Sequence, residues 1–329
     1  MSNVAEIRVL EKMQNELDTL YGTIQVPSWP DDLIVRSLRQ LGEWCAAETI
    51  LASALLEPND TLWDAGAFLG TFSLGVAKEK PTVKIVAIEA NAGILPVLSK
   101  NLERLSCDVQ VVSCGLAAKT GWLTPIGAEA HNHGATRYVY SSEPSNCQLS
   151  TSCRTLADLR AEHGNYDMLK LDLEGMELEA LRGDFPYLKT AHPVLWAECN
   201  ESKESVRLLS GLKWLGYDVM YIAFPAFRQS NYNSSAELIY PMAYEAALVA
   251  ATPTRIGRIV DHARDLLPGE DIICRDVESA YDLKLAMFDT PRWCREEWLS
   301  LSRPELIARL ARADQDIDLS TFLRELSVN

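Results

Sequence analysis

Three charged residues alternate through one apolar run. In Tyr166-Asp-Met-Leu-Lys170-Leu-Asp172-Leu-Glu174-Gly175, the polar groups Lys170, Asp172 and Glu174 are separated by Leu171 and Leu173. Strand geometry sends residues of that spacing to one side. Charge on an interior strand is costly unless it is paired or opens on a cleft. Lys170 is therefore expected to pair with Asp172, and Asp172 to stand at the carboxyl end of the strand, where α/β sheets bind ligands. A carboxylate there could act as a general base. With Glu198 and Asn200 at the next strand end, Asp172 could also offer oxygen ligands to Mg2+, although nothing in the sequence completes an octahedral shell. His131 and His133, in His131-Asn132-His133-Gly134, are further candidates for a base titrating near neutrality. The same two residues read equally well as solvent-facing loop histidines. His163, His192 and His262 read as structural or exposed.

A second constellation lies upstream, in Thr61-Leu-Trp-Asp64-Ala-Gly66-Ala67-Phe68-Leu-Gly70-Thr-Phe. A short strand, a glycine turn and a helix follow one another, which brings backbone close to a ligand. A dinucleotide fingerprint requires Gly-x-Gly-x-x-Gly, and only the middle glycine is present. No Gly-Lys-Ser/Thr follows, so a phosphate-cradling P-loop is excluded. A carboxylate opening the turn disfavours a pyrophosphate and suits a donor bearing an ammonium and a sulfonium, as S-adenosylmethionine does. Glu89, at the end of Ile85-Val-Ala-Ile-Glu89, stands where an acid can accept both ribose hydroxyls.

With these residues in place, the chain resembles the FkbM-type family of S-adenosylmethionine-dependent methyltransferases between about Gly42 and Asn200. Gly42-Glu-Trp44 with Glu48 resembles the family's opening segment. Asp64 to Gly70 resembles its cofactor loop, with Phe68 in place of the usual Asn. Glu89-Ala90-Asn91 resembles its ribose acid and the turn after it. Cys153-Arg-Thr-Leu-Ala-Asp158-Leu and Lys170-Leu-Asp172-Leu-Glu174-Gly175 resemble its later motifs, while Ala118 stands where the family commonly carries an Asp. The resemblance implies methyl transfer to a hydroxyl of a small molecule or saccharide. It also implies that Asp64, Gly66, Ala67, Phe68, Gly70, Glu89, Ala90 and Glu48 hold the cofactor, with Lys170, Asp172, Glu174 and His133 near the chemistry. Transfer to nitrogen or carbon, or a catalytically inactive binding module on the same fold, are the competing readings.

The surrounding elements follow from hydrophobic period and turn signals. Short apolar strands at Thr61–Trp63, Val83–Glu89, Val109–Cys114, Tyr166–Asp172, Val194–Glu198, Asp218–Phe224 and Ala246–Ala250 alternate with helices. The pattern predicts a doubly wound, mostly parallel, seven-stranded Rossmann-like α/β sheet over residues 60–250. An N-terminal helical segment is expected over 1–59, including a helix over 1–20, and a helical extension over 251–329 that could serve a homodimer. Residues 121–147, rich in Gly, Pro and Ser, read as an inserted loop. The net charge of −15 argues against nucleic-acid partners. No apolar run reaches membrane-spanning length and no apolar stretch marks residues 1–20, so neither a transmembrane helix nor a secretory signal is expected. The eight cysteines show no CxxC pair, so a reduced, cytoplasmic setting is expected.

Overall fold

The computed structural model describes residues 15–126, 133–145, 147, 149–236, 239 and 243–290. Two strands come first, β1 (Glu16–Thr19) and β2 (Gly22–Gln25), then helices α1 (Leu33–Gln40) and α2 (Ala46–Ser53). Strands and helices next alternate through β3 (Thr61–Ala65), α3 (Thr71–Glu79), β4 (Lys84–Glu89), α4 (Leu95–Leu102) and β5 (Val109–Ser113). Short strands intervene at β6 (Gly115–Leu116), β7 (Gly121–Pro125), β8 (Tyr138–Ser141) and β9 (Thr151–Arg154). The alternation resumes with α5 (Leu156–His163), β10 (Met168–Leu171), α6 (Glu177–Arg182), α7 (Phe185–Ala191), β11 (Val194–Glu198), α8 (Lys203–Trp214) and β12 (Asp218–Pro225). It closes with β13 (Tyr244–Ala251), α9 (Pro253–Leu266), β14 (Ile273–Asp276) and α10 (Ala280–Phe288).

The central sheet has the order β14-β12-β13-β11-β10-β3-β4-β5. Strands β5, β4, β3, β10 and β11 pair in parallel, and β13 runs against both β11 and β12. Alternate residues of these strands feed two cores. Trp63, Leu169, Leu171 and Leu195 join the helices of one face, whereas Leu62, Met168, Val194 and Trp196 join those of the other. Both faces are therefore covered, which is why the strands read as nearly continuous apolar runs. After β3 the chain moves outward one way through β4 and β5, and from β10 the other way through β11. The crevice outside the carboxyl ends of β3 and β10 is thus the point at which the strand order reverses.

Three expectations are corrected. The helix over 1–20 gives way at its described end to a hairpin, with Leu17 opposite Ile24 and Gly22 supplying a φ of +88°. Thr19 fastens this turn, its hydroxyl donating to the Gly22 carbonyl at 2.7 Å. The sheet has eight strands instead of seven, because Ile273–Asp276, assigned to the helical extension, pairs antiparallel with β12. Its four residues, Ile-Cys-Arg-Asp, are too few to display a period. The insertion is structured as well: β7 and β8 form an antiparallel pair inside a four-stranded sheet of order β6-β9-β7-β8. Residues 127–132 and 291–329 of the expected insertion and tail lie outside the described residues. Among the described residues, no helix is long and apolar enough to cross a membrane.

The N-terminal segment is fastened to the sheet by a buried ion pair. Glu43, between α1 and α2, accepts both Nε and Nη2 of Arg228 at 2.7 Å and the Tyr232 N–H at 3.0 Å. Glu43 is 3% exposed and Arg228 12%. A Glu43→Ala substitution leaves the guanidinium buried and unpaired, a change expected to cost about 3–5 kcal/mol. Urea denaturation measures this directly. A loss below about 1 kcal/mol would mean that the pair does not anchor the segment.

Candidate active site

The turn after β3 can form only around a glycine. Gly66 has a φ of +86°, and a Cβ there would lie 2.0 Å from the Asp172 carbonyl oxygen. The end of β3 thus abuts the end of β10 with no room for a side chain. The Gly66 and Ala67 N–H groups both donate to the Ile88 carbonyl, at 2.9 and 3.1 Å, which ties the turn to β4. Phe68 is held in the left-handed region at φ 47°, a conformation that costs a non-glycine residue about 1–3 kcal/mol. Its N–H donates to Glu89 Oε2 at 2.8 Å, and the Asn91 N–H donates to Oε1 at 2.7 Å. The Glu89 carboxylate is therefore fixed by two backbone donors at the cleft wall, beside Ala90. Burial raises its pKa, and the N–H donors of Asn91 and Phe68 oppose the rise.

Asp64 does not stand where the sequence suggests. It is fully buried, accepts the Ser73 hydroxyl at 2.6 Å and is absent from the cleft wall. Its position in the strand puts it in register with Lys170, on the core side of the turn. Gly70 likewise serves the turn from beneath: its φ is +83°, and a Cβ would meet Leu98 at 3.0 Å. The negative charge facing the cleft comes instead from Glu48, Glu89, Asp172, Glu174, Glu198 and Glu245.

The second motif builds the other end. Lys170 Nζ donates to Asp172 Oδ2 at 2.8 Å, and the lysine side chain is 6% exposed while that of Asp172 is 38%. Burial opposes the lysine charge, but Asp172, Glu48 and Asp64 outweigh it and hold the ammonium protonated beyond its usual range. Glu174 follows in the left-handed region at φ 53°. The turn around it is fixed by Glu177, whose Oε1 accepts the Leu173 and Gly175 N–H groups at 2.9 and 3.1 Å. Burial and then Asp172 push Glu174 up to about 8. Oxygens of Asp172, Glu174 and Glu198 lie within 4.8 Å of one another. Glu174 therefore takes the place that the sequence assigned to Asn200, which lies beyond the end of β11 and off the cleft wall.

Glu48 reaches the cleft from α2, accepting the Trp196 indole N–H at 2.8 Å. His133 also lines the cleft, but beside the cofactor loop. Its N–H donates to Asp32 Oδ2 at 2.9 Å, and its ring lies 4.1 Å from Trp29, which in turn stacks on Phe68 at 6.4 Å. His131 lies outside the described residues. Two contributors escaped the sequence reading. Glu245 sits just before the apolar run by which β13 was recognised, and Glu177 supports the turn from a helix start with no sequence signal beyond its place after Gly175. The whole cleft encloses about 1420 Å3, its open mouth included.

Residues 64–218 match the family model of the methyltransferase FkbM domain. This segment is an FkbM-type methyltransferase domain. A curated relative, methyltransferase sdnD of Sordaria araneosa, is 28% identical over 162 residues, covering 40% of this chain and 62% of the relative. The chain thus spans less than two thirds of that relative's length. Among solved structures, methyltransferase FkbM from Methylobacillus flagellatus KT is 16% identical with a TM-score of 0.41, covering 75% of this chain and 59% of that one. Precorrin-6y C5,15-methyltransferase from Geobacter metallireducens GS-15 is 15% identical with a TM-score of 0.39, covering 62% of this chain and 86% of that one. Glu48 and Glu245 fall outside the FkbM domain match yet line the same cleft.

The charge balance of the cleft predicts a pH dependence of stability. Burial pushes Glu48 from the usual 4.5 up to about 7, with Asp172 and Asp64 adding to the rise and Lys170 and the Trp196 N–H opposing it. Its folded pKa lies above its unfolded one, so its contribution is complete below about 4.5 and is lost as pH rises through about 7. Glu177, also pushed up to about 7, acts with the same sign. Stability should fall by on the order of 1–3 kcal/mol between about pH 5 and about pH 8. Glu48→Gln should flatten part of that slope in thermal melts. Superimposable curves for wild type and variant would remove Glu48 from the account.

Proposed function

We propose that this protein transfers the methyl group of S-adenosylmethionine to a hydroxyl oxygen of a small molecule or saccharide. The observation that carries the reading is the Glu89 carboxylate, fixed at the switch-point cleft by the N–H groups of Phe68 and Asn91. The Ala90 N–H also bears on this carboxylate, so the donors leave at least one of its roughly four lone-pair sites to accept a ribose hydroxyl. Gly66 and Ala67 line the same cleft beside it. Carboxylate walls disfavour a pyrophosphate and favour a donor that carries an ammonium and a sulfonium. When bound, the donor supplies an electrophilic methyl on its sulfonium sulfur.

The chain's own residues supply position and proton acceptance. Methyl displacement is an in-line reaction, so alignment of the acceptor is the main requirement. Lys170 fixes Asp172 Oδ2, which leaves Oδ1 to orient an acceptor hydroxyl. An alcohol must lose its proton as the new bond forms, and the carboxylates Asp172, Glu174 and Glu198 are the groups at that end able to receive it. An acid pushed up to about 8, as Glu174 is, suits that task near neutral pH. Sugar and polyol hydroxyls suit the same oxygen-lined wall as hydrogen-bond donors.

Calorimetric titration with S-adenosylhomocysteine tests the donor site. Wild type should bind it and ignore NAD, while Glu89→Ala should bind about 100-fold more weakly, the value of two hydrogen bonds to a charged group. Binding of NAD alone would reverse the assignment. For the acceptor half, Asp172→Asn should lower methyl transfer to a panel of polyols and sugars by about 100-fold or more. Transfer confined to amine acceptors would count against hydroxyl methylation.

A further inference from the structure

We infer that Asp172, Glu174 and Glu198 form a site for one divalent cation of the hard, oxygen-preferring class, such as Mg2+, Mn2+ or Ca2+. The three carboxylates come from two strand ends: Asp172 and Glu174 from the turn after β10, and Glu198 from the end of β11. Their oxygens nonetheless converge to within 4.8 Å of one another. Two oxygens on opposite sides of such a cation are about 4.0 to 5.2 Å apart, given metal–oxygen distances of roughly 2.0–2.6 Å. The spacing is thus that of a coordination shell, with waters or an acceptor oxygen to complete it.

A separate observation concerns one oxygen of this cluster. Glu198 Oε2 is sealed from solvent and has no hydrogen-bond partner. A buried carboxylate oxygen without a donor is expensive. The charged side chains that bear most on Glu198 do not provide one: Asp172, Glu174, Glu177 and Glu245 are all acids. Lys170 is already committed to Asp172 Oδ2, and Arg137 bears on Glu174. A cation among the three would satisfy the orphaned oxygen and offset the surplus charge together. The turn that carries Glu174 is held by Glu177, so that ligand is placed in advance. With the methyl-transfer reading above, on which only this last step rests, the ion would acidify an acceptor hydroxyl bound to it.

Binding itself is measurable without turnover. Protein stripped with a chelator and titrated with MnCl2, read by electron paramagnetic resonance of free Mn2+ and by thermal shift, should show one site and a raised melting temperature. Glu198→Gln and Glu174→Gln should each weaken Mn2+ binding at least 10-fold. In chelator both variants should melt at or above the wild-type temperature, because each removes a repelling acid, and this separates loss of a ligand from failure to fold. Wild type that binds S-adenosylhomocysteine but no Mn2+ at millimolar concentration would overturn the metal site and leave the donor site standing. A cluster that takes up only protons or an organic ammonium group gives that result. A Glu198→Gln variant with wild-type Mn2+ affinity would overturn it equally.

Discussion

Lys170 stands inside a sheet buried on both faces, and it keeps its charge only because acids surround it. Asp172, Glu48 and Asp64 outweigh its desolvation, and each of them needs the ammonium in return. The group ties three elements together: Asp64 lies in register with it on β3, Asp172 follows it past the end of β10, and Glu48 approaches from α2. Removing the cation would leave three carboxylates close together in a low-dielectric space, a state proteins avoid. The balance is also incomplete. Glu174, Glu198 and Glu245 add further acid to the same cleft wall, and the surplus is met in the ligand-free protein by raised carboxyl pKa values, that is, by held protons. A cationic ligand relieves what those protons relieve, which ties the site's affinity to its own charge excess.

The geometry that makes this arrangement a site is the contact between Gly66 and the Asp172 carbonyl. At 2.0 Å from a notional Cβ, it admits no other residue. Because the turn after β3 presses on the end of β10, Glu89 and Asp172 are held along one edge by neighbouring strands. The hydrogen bonds from Gly66 and Ala67 to Ile88, and from Asp172 to the Ala65 carbonyl, continue the ladder past the strand ends. The left-handed Phe68 and Glu174 are strained positions held by side-chain carboxylates, Glu89 in one case and Glu177 in the other. In each turn an acid that needs donors is matched with backbone N–H groups that need acceptors.

Much of this was legible in the residues. The alternation of Lys170, Asp172 and Glu174 with leucines announced the pair and its place at a strand end, because strand period is set by covalent geometry alone. Asp64 was misread in one respect. A carboxylate at the start of a glycine turn has the same sequence whether it faces ligand or core, and only Ser73, nine residues on, decides between them. Glu245 and the replacement of Asn200 by Glu174 depend on how three strand ends splay in space, which no local pattern records. The hairpin of β1 and β2 and the late strand β14 were lost because short elements carry too few residues to display a period. Glu48 is the opposite case. Its indole partner, Trp196, is 148 residues away, yet the residue could be singled out through the resemblance of its segment.

Strand spacing also limits where the chemistry can occur. Glu89 and Asp172 end strands separated by β3, two steps of about 4.8 Å each, so Glu89 and the acid cluster are roughly 10 Å apart across the sheet edge. A donor anchored at Glu89 by its ribose must therefore extend over Gly66 to bring a reactive group near Asp172. In methyl transfer the sulfonium charge disappears while the acceptor loses a proton, so acids close to sulfur would stabilise the ground state more than the transition state. Acids close to the acceptor act in the productive direction. Under the proposed methyl transfer, with Glu89 at the ribose end, the cluster of Asp172, Glu174 and Glu198 beyond the glycine would stand on the acceptor's side of the reacting carbon.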